Sequence, residues 1–250
     1  MNDMTQGSGR LVVVSNRLPV VIKQIDGIWT FTPGSGGLVS ALAPVLRNRG
    51  GIWIGWPGTS EADPSTLSGL LREATRHSGY CLKPVSLDER DKEDFYYGFA
   101  NEVIWPLFHD LQSHCNFAPR YWDAYNRVNR RFADVIMQNA RPGDFIWIHD
   151  YHLMNVGQEL RAKGIRARVG FFLHIPFPPL DMRHILLGDR EVAQVLGDRG
   201  AQKGVHPPED VVLADKALEL MHARAPFLRP HGDRPLDGLS HLFDVIRVHQ

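Results

Sequence analysis

Phe145-Ile-Trp-Ile-His149-Asp150-Tyr151-His152 and Val169-Gly-Phe-Phe-Leu-His174-Ile-Pro-Phe-Pro178 are two apolar runs that each end in histidine. Short apolar runs without alternation suit strands buried on both faces of a parallel sheet. Between them, residues 153–163 carry helical spacing, and Gly164 stands where a C-terminal cap belongs. Strand, helix, strand in this order makes a crossover unit whose two strands point the same way. Its C-terminal ends would bring His149, Asp150 and His174 to one rim. In open α/β sheets, ligands bind at that rim.

Working outward, 11–15 reads as a first buried β-branched strand that empties into Asn16-Arg17-Leu18-Pro19. Residues 20–22 and 28–32, separated by Asp26-Gly27, form a hairpin excursion that returns to Pro33-Gly-Ser-Gly-Gly37. Helical spacing over 38–47 stops at Gly50-Gly51, and 52–56 is a second strand closed by Pro57-Gly58. A helix over 64–77, a strand over 81–85 and a helix over 88–101 follow, whereas 106–117 is ambiguous. The clearest amphipathic helix spans 121–139, with Tyr121, Tyr125, Val128, Phe132, Val135 and Ile136 on one stripe. The pattern predicts an α/β, Rossmann-like, mostly parallel sheet with flanking helices over residues 10–180. Residues 181–250 lose that pattern and read as an atypical, irregular or helical tail.

The chain has 250 residues, enough for a substantial core, with 28 basic and 28 acidic side chains. A net charge of zero offers no global field for nucleic acid, though a local anion site stays open. The two cysteines, Cys81 and Cys115, form neither a disulfide framework nor a metal or redox spacing, which fits a reducing cytoplasm. The polar start and the brief apolar run 11–14 are too short for a signal core or a membrane span.

Several residues are suited to chemistry. The glycine-rich loop before the helix at 38–47 offers free backbone NH groups to a phosphate, and Arg17 at the end of the first strand adds a bidentate charge. The same features also occur as a tight connection and a surface ion pair. Asp150 can orient a sugar hydroxyl or accept a proton. His149, His152 and His174 can hydrogen-bond a sugar or ligate a metal. Against a metal, His149 and His152 lie three apart across a strand end and no second carboxylate is at hand. Trp56, Tyr96 and Trp105 pair a flat apolar face with a polar tip, as sugar stacking requires.

Six motifs in order carry a resemblance: Leu11-Val-Val-Val-Ser-Asn-Arg17; Gly34-Ser-Gly-Gly-Leu38; Trp53-Ile-Gly-Trp56; Tyr97-Gly-Phe-Ala-Asn101 with Trp105-Pro106; Trp147-Ile-His-Asp-Tyr-His152; and Phe171-Phe-Leu-His-Ile-Pro-Phe-Pro178. Together they resemble the trehalose-6-phosphate synthase family over about residues 10–180, most of the N-terminal Rossmann-like domain of a two-domain GT-B glycosyltransferase. The resemblance implies transfer of glucose from UDP-glucose, or a related nucleotide sugar, to glucose 6-phosphate, with retention and with neither metal nor other cofactor. It implies that Arg17 binds the acceptor phosphate with Tyr96 and Trp105, that Trp56 lines the acceptor pocket, and that Gly37 lies against the donor phosphates. Asp150 would hold sugar hydroxyls and His174 would contact the transferred glucose.

The family's second domain has no counterpart in 181–250, so a truncated or frameshifted gene is one expectation, and the isolated chain is expected to be inactive or incomplete. Alternatives are glucosylglycerol-phosphate synthase, a non-catalytic sugar-phosphate-binding or regulatory subunit, and a metallohydrolase. Neither nucleic acid nor membrane is expected as a partner. Self-association and pairing with a full-length synthase both stay open.

Overall fold

Val12, Val13 and Val14 are all fully buried, because the strand that carries them has apolar cover on both faces. A computed structural model describes residues 9–176; the tail at 181–250 lies outside the described residues. In chain order its elements begin with β1 (Leu11–Arg17), β2 (Val20–Ile25), β3 (Ile28–Pro33), α1 (Gly37–Arg49), β4 (Gly51–Trp56), α2 (Pro64–Ser78) and β5 (Cys81–Pro84). A continuous helical rod follows, made of α3 (Glu89–Asp91), a π-helical segment (Lys92–Ile104) and α4 (Trp105–Phe108). Then come α5 (Pro119–Asn139), β6 (Phe145–His149), a 3₁₀ turn (Tyr151–Leu153), α6 (Val156–Ala162) and β7 (Arg168–Phe172).

The main sheet has five strands in the order β5-β4-β1-β6-β7, every pair parallel. Chain order therefore runs outward from β1 to one edge through β4 and β5, then restarts beside β1 with β6 and runs to the other edge. The reversal falls between β1 and β6, and that is the switch point at which doubly wound sheets leave a crevice. Val12, Val14, Ile52, Ile54, Ile146 and Ile148 face one way, into a core shared with the rod, α5 and α6. Val13, Trp53 and Leu82 face the other way, toward α1, α2 and the β2–β3 hairpin. Alternate side chains thus meet different but equally apolar layers, as the unalternated strand pattern requires.

Three expectations change. The second quoted run is not buried: among the described residues β7 is an edge strand paired only with β6, and Phe171 and Phe172 each remain 43% exposed. The helix expected over 153–163 starts only at Val156, because the chain first closes a 3₁₀ turn at Tyr151–Leu153; it ends at Ala162, two residues before Gly164, whose φ is 78°. The helix expected over 88–101 runs on to Phe108, and its middle winds wide. Trp105 N–H bonds the carbonyl of Ala100, five residues back. Pro106 has no N–H to offer the carbonyl of Glu102, and Asn116 N–H takes that acceptor instead, at 2.9 Å.

Asp91 anchors the rod to α5. Its side chain is 1% exposed, with Oδ1 accepting from Arg127 Nη2 at 2.9 Å and Oδ2 from Arg131 Nη1 at 2.6 Å. Burial opposes its ionisation, but the hydrogen bonds from Arg131 and Arg127 outweigh it and hold the carboxyl below its ordinary value. A depressed carboxyl contributes stability above the unfolded value of about 3.9 and loses it as pH falls through and below that point. Replacing Asp91 by Ala removes the carboxylate that two partly exposed guanidinium groups share and is expected to cost about 1–3 kcal/mol. Urea melts at pH 7 check the loss, and Asp91→Asn is expected to flatten the decline between pH 4 and pH 2 (about the window set by that carboxylate).

Candidate functional site

The C-terminal ends of β1 and β6 frame the crevice. At the end of β1 the pairing with β4 shifts register between Val14 and Arg17. Gly55 makes this geometry affordable: a Cβ there would sit 2.8 Å from the backbone of Arg17 and Leu18. Leu18 N–H bonds the Trp56 carbonyl at 2.8 Å, and Trp53 Nε1 reaches Ser15 Oγ at 2.8 Å, so both sides of the shift are tied down.

Arg17 emerges from this bend with its guanidinium carbon 4.7 Å over the Trp56 ring, and side-chain atoms fill the space where Gly58 has no Cβ. Among the described residues no carboxylate lies within ion-pair distance of it. Partial burial lowers its pKa, opposed by the nearby phenols of Tyr96 and Tyr97, and an arginine so placed stays charged. Two buried polar atoms of this corner, Trp56 Nε1 and Asn16 Oδ1, have no described hydrogen-bond partner. An unpaired cation on an aromatic floor, beside unspent polar atoms, can take a phosphate with its attached sugar. A cavity of about 320 Å³ adjoins the corner, sharing Trp56 and Gly58 but running away toward Lys23, Trp29 and Glu61, so it is not the β6 rim.

The wide winding of the π-helical segment decides where Tyr96 goes. Bonds five residues apart bring Tyr96 and Asn101 to one face. Tyr96 stacks on His152 at 5.6 Å and 11°, His152 stacks on Tyr151 at 4.1 Å, and Tyr151 Oη reaches Asn101 Oδ1 at 3.2 Å. His152 is 8% exposed and neither ring nitrogen has a described partner. The backbone beneath is carried by α5. Tyr125 Oη donates to the Tyr151 carbonyl at 2.8 Å and accepts from Met154 N, while Asn129 Nδ2 donates to the His152 carbonyl at 3.1 Å. Burial raises Tyr125 and Tyr151, with Asp150 adding to both, so both phenols stay protonated.

Asp150 itself has φ of 76° and carries one carboxylate oxygen into the structure: Oδ1 accepts from Tyr151 N at 3.0 Å and from His174 N at 3.3 Å. Its own N–H bonds the Phe172 carbonyl at 2.7 Å. These bonds use Oδ1 and leave Oδ2 without a hydrogen-bond partner among the described residues. His174 is exposed, and its Nε2 lies 3.1 Å from Nδ1 of the buried His149. Burial, with His174 adding to it, pushes the His149 ring down to about 3; burial alone does the same for His152, also to about 3. Both imidazoles are neutral over the physiological range, and neither is a proton donor in waiting.

The residues nominated from sequence thus fall into groups. Arg17, Trp56 and Tyr96 share one corner, and Asp150 and His174 share the next, joined through His152 and Tyr151. Gly37 opens α1, where Gly36 has φ of 120°, no side chain caps the helix, and a Cβ on either glycine would meet nothing within 4 Å. Trp105 stacks on His109 at 4.1 Å, and no described ring contact or hydrogen bond links it to Arg17 or Tyr96. Sequence reading missed Asn16, Gly55, Tyr125 and Asn129. A glycine inside a strand was the available signal for Gly55. Tyr125 sat inside a hydrophobic stripe that concealed its hydroxyl. No group of three or more His, Cys, Asp or Glu side chains able to hold a metal occurs among the described residues. No helix there is long and apolar enough to cross a membrane.

Comparison with known proteins gives this rim a lineage. A model of glycosyltransferase family 20 matches residues 9–197, past the limit of 180 that the motifs suggested. An alpha,alpha-trehalose-phosphate synthase [UDP-forming] A of Dictyostelium discoideum is 40% identical over 195 residues, covering 77% of this chain and 26% of that protein. A trehalose-6-phosphate synthase of Mycolicibacterium vanbaalenii is 42% identical over 179 residues, 70% of this chain and 36% of the relative. This chain therefore spans about a quarter to a third of the length of these curated relatives. Among solved structures, a UDP-forming synthase from Burkholderia vietnamiensis superposes with a TM-score of 0.59 at 30% identity, covering 76% of this chain and 39% of that one. One from Burkholderia xenovorans, in complex with glucose-6-phosphate, gives 0.56 at 31% identity over 75% of this chain and 38% of its own. With a parallel sheet, a switch-point rim and a sequence match over residues 9–197 all in agreement, the chain belongs to glycosyltransferase family 20.

Proposed function

We infer that this chain forms the acceptor-side wall of a glycosyl-transfer cleft. The reaction is transfer of glucose, with retention, from UDP-glucose or a related nucleotide sugar to glucose 6-phosphate, giving trehalose 6-phosphate. The observation that carries this reading is the unpaired Arg17 guanidinium on Trp56 beside Tyr96, one aromatic stack away from Asp150. Relatives of this chain are UDP-forming trehalose-phosphate synthases, and one structural neighbour holds glucose-6-phosphate while another, from E. coli, holds UDP-2-fluoro glucose.

In this reading Arg17 grips the acceptor phosphate, with Trp56, Tyr96 and Trp105 around the sugar it carries. Gly37, at the open α1 N-terminus, approaches the donor phosphates, where free NH groups and the helix dipole favour negative charge. Asp150 Oδ2 accepts from hydroxyls of the reacting sugars, and His174 contacts the transferred glucose. The arrangement positions reactants rather than exchanging protons with them, since the buried imidazoles are neutral and Asp150 is held by backbone NH groups. Departure of the nucleoside diphosphate calls for cations on its phosphates. Arg17 is engaged with the acceptor, so in this reading that charge comes from a second wall across the cleft. The site works in a cytoplasmic setting, where both phosphorylated substrates occur.

Titration calorimetry on the purified chain tests the reading. Glucose 6-phosphate is expected to bind weakly, and Arg17→Ala to weaken it by about 1.5–3 kcal/mol, roughly 10- to 150-fold, while unphosphorylated glucose distinguishes the two proteins little. Equal affinity of both proteins for the phosphorylated sugar would remove Arg17 from the site. UDP release by the chain alone from UDP-glucose and glucose 6-phosphate would show that no second wall is needed.

The buried imidazoles give a pH signature. Unfolded, each takes its proton near about 6.5; folded, near 3. Between those values the unfolded chain binds more protons, so the contribution of each is complete above 6.5 and falls as pH drops, by about 1.4 kcal/mol per pH unit. Thermal melts are expected to be level above about pH 7 and to decline well before carboxylates titrate, and His152→Phe to lessen the slope. A flat profile from pH 7 to about pH 5 would contradict the burial assigned to these rings.

A further inference from the structure

Two imidazoles facing each other nitrogen to nitrogen have only two neutral arrangements. Either His149 Nδ1–H donates to His174 Nε2, or His174 Nε2–H donates to His149 Nδ1 across the same 3.1 Å. The arrangements differ at the far side of His149. Its Nε2 is buried and has no described partner. In the first arrangement Nε2 is a bare lone pair; in the second it is an N–H with no acceptor. His149 is 1% exposed, and its nearest ring neighbour apart from His174 is Trp147, at 4.7 Å. An orphaned buried N–H is the rarer fault in folded proteins, because an under-satisfied acceptor is tolerated more readily than a stranded donor.

We propose that His149 is a positioning residue that fixes His174 as the Nδ1–H tautomer, so that His174 presents a hydrogen-bond donor to the crevice and selects a ligand oxygen that accepts. The neighbouring geometry supports a locked pair. His174 N–H is held by Asp150 Oδ1 at 3.3 Å, and the two imidazoles lie edge to edge, centroids 5.4 Å apart and planes 27° apart. Burial keeps a second proton off the His149 ring down to about pH 3. Which nitrogen of a histidine carries the proton is set by the hydrogen bond its other nitrogen makes, and here that bond is to a group with one proton to give. The chemical class selected is a sugar hydroxyl or ester oxygen acting as acceptor. That assignment of the ligand rests on the function proposed for this rim, whereas the tautomer does not.

Long-range proton–nitrogen correlation spectra of the ¹⁵N-labelled chain at pH 7.5, without ligand and with His174→Gln to assign the peaks, read the tautomers directly. Both His149 and His174 are expected as Nδ1–H. In His149→Phe, which removes the donor, His174 is expected to shift to Nε2–H or to a mixture; in His149→Asn, whose amide can donate from nearly the same place, it is expected to stay Nδ1–H. An Nε2–H His174 in the unaltered chain overturns the proposal, as does a His174 tautomer that His149→Phe leaves unchanged. Should His149→Phe fail to fold, the unaltered chain's spectrum decides alone. Because no sugar is present, the result stands apart from whether glucose 6-phosphate binds.

Discussion

The parallel pairing of β1 on both sides, with β4 and with β6, is the constraint from which the rest follows. Val12 to Val14 have no solvent-facing side, so their backbone groups must be met within the sheet and their side chains by two separate apolar layers. Once β6 lies beside β1, the chains leaving their C-terminal ends part toward opposite faces. One delivers Arg17 and the other His149 and Asp150, across the crevice that the parting opens. At the opposite end Asp144 locks the register. It accepts from Arg10 Nη2 at 2.7 Å and Nε at 3.2 Å, and from Arg141 N at 2.8 Å. A carboxylate bridging the start of β1 to the approach to β6 resists exactly the slippage that would move Arg17 away from Asp150, since the strand period of two turns a one-residue shift into exchange of faces.

The rim depends next on a polar scaffold inside an apolar layer. α5 presents Tyr125 and Asn129 from its buried stripe; the Tyr125 hydroxyl bonds the backbone of Tyr151 and Met154, and the Asn129 amide donates to the carbonyls of His152 and Tyr125. The rod answers from the other side with Tyr96 and Asn101, brought together by its wide turns. Between them the His152 ring is held by ring contacts with Tyr96, Tyr151 and Phe95, its nitrogens without partners among the described residues. An apolar ring would suit that slot better on packing grounds, because a buried unsatisfied polar group costs about 1–3 kcal/mol. A histidine there marks a place where stability has been given up, which is characteristic of sites rather than of cores.

Much of this was legible in the sequence for a definite reason. Strands buried on both faces announce themselves as unbroken apolar runs, and Gly50, Gly58 and Gly164, all with positive φ, punctuate the chain where elements end. The position of Arg17, Asp150 and His174 at strand ends followed from topology alone. What stayed hidden were properties that depend on partners distant in sequence. The exposure of β7 depends on what pairs with it, which no local pattern records. The wide winding of residues 92–104 is a response to Pro106 and to the rings it must align. Tyr125 and Asn129 read as stripe and filler because hydrophobic periodicity registers the ring or the position and is blind to the hydroxyl or amide it carries.

Asp150 combines a strained backbone with a fixed carboxylate. A positive φ is uncommon outside glycine, although Asp and Asn adopt it more readily than other residues, and it costs on the order of 1–3 kcal/mol. Glycine would remove that cost but would also remove the carboxylate. The chain retains the acid and offsets the strain locally: the N–H of Asp150 is tied to Phe172 O, and Oδ1 caps both the following turn and the N–H of His174. The same bonds that hold the backbone fix the carboxylate, so its second oxygen is free of the entropy cost a mobile side chain would pay on binding. Asparagine at this position would retain most of the backbone geometry while lacking the charge. The strain is thus tied to the shape of the turn and the carboxylate to the role proposed for it, and aspartate meets both demands just after β6.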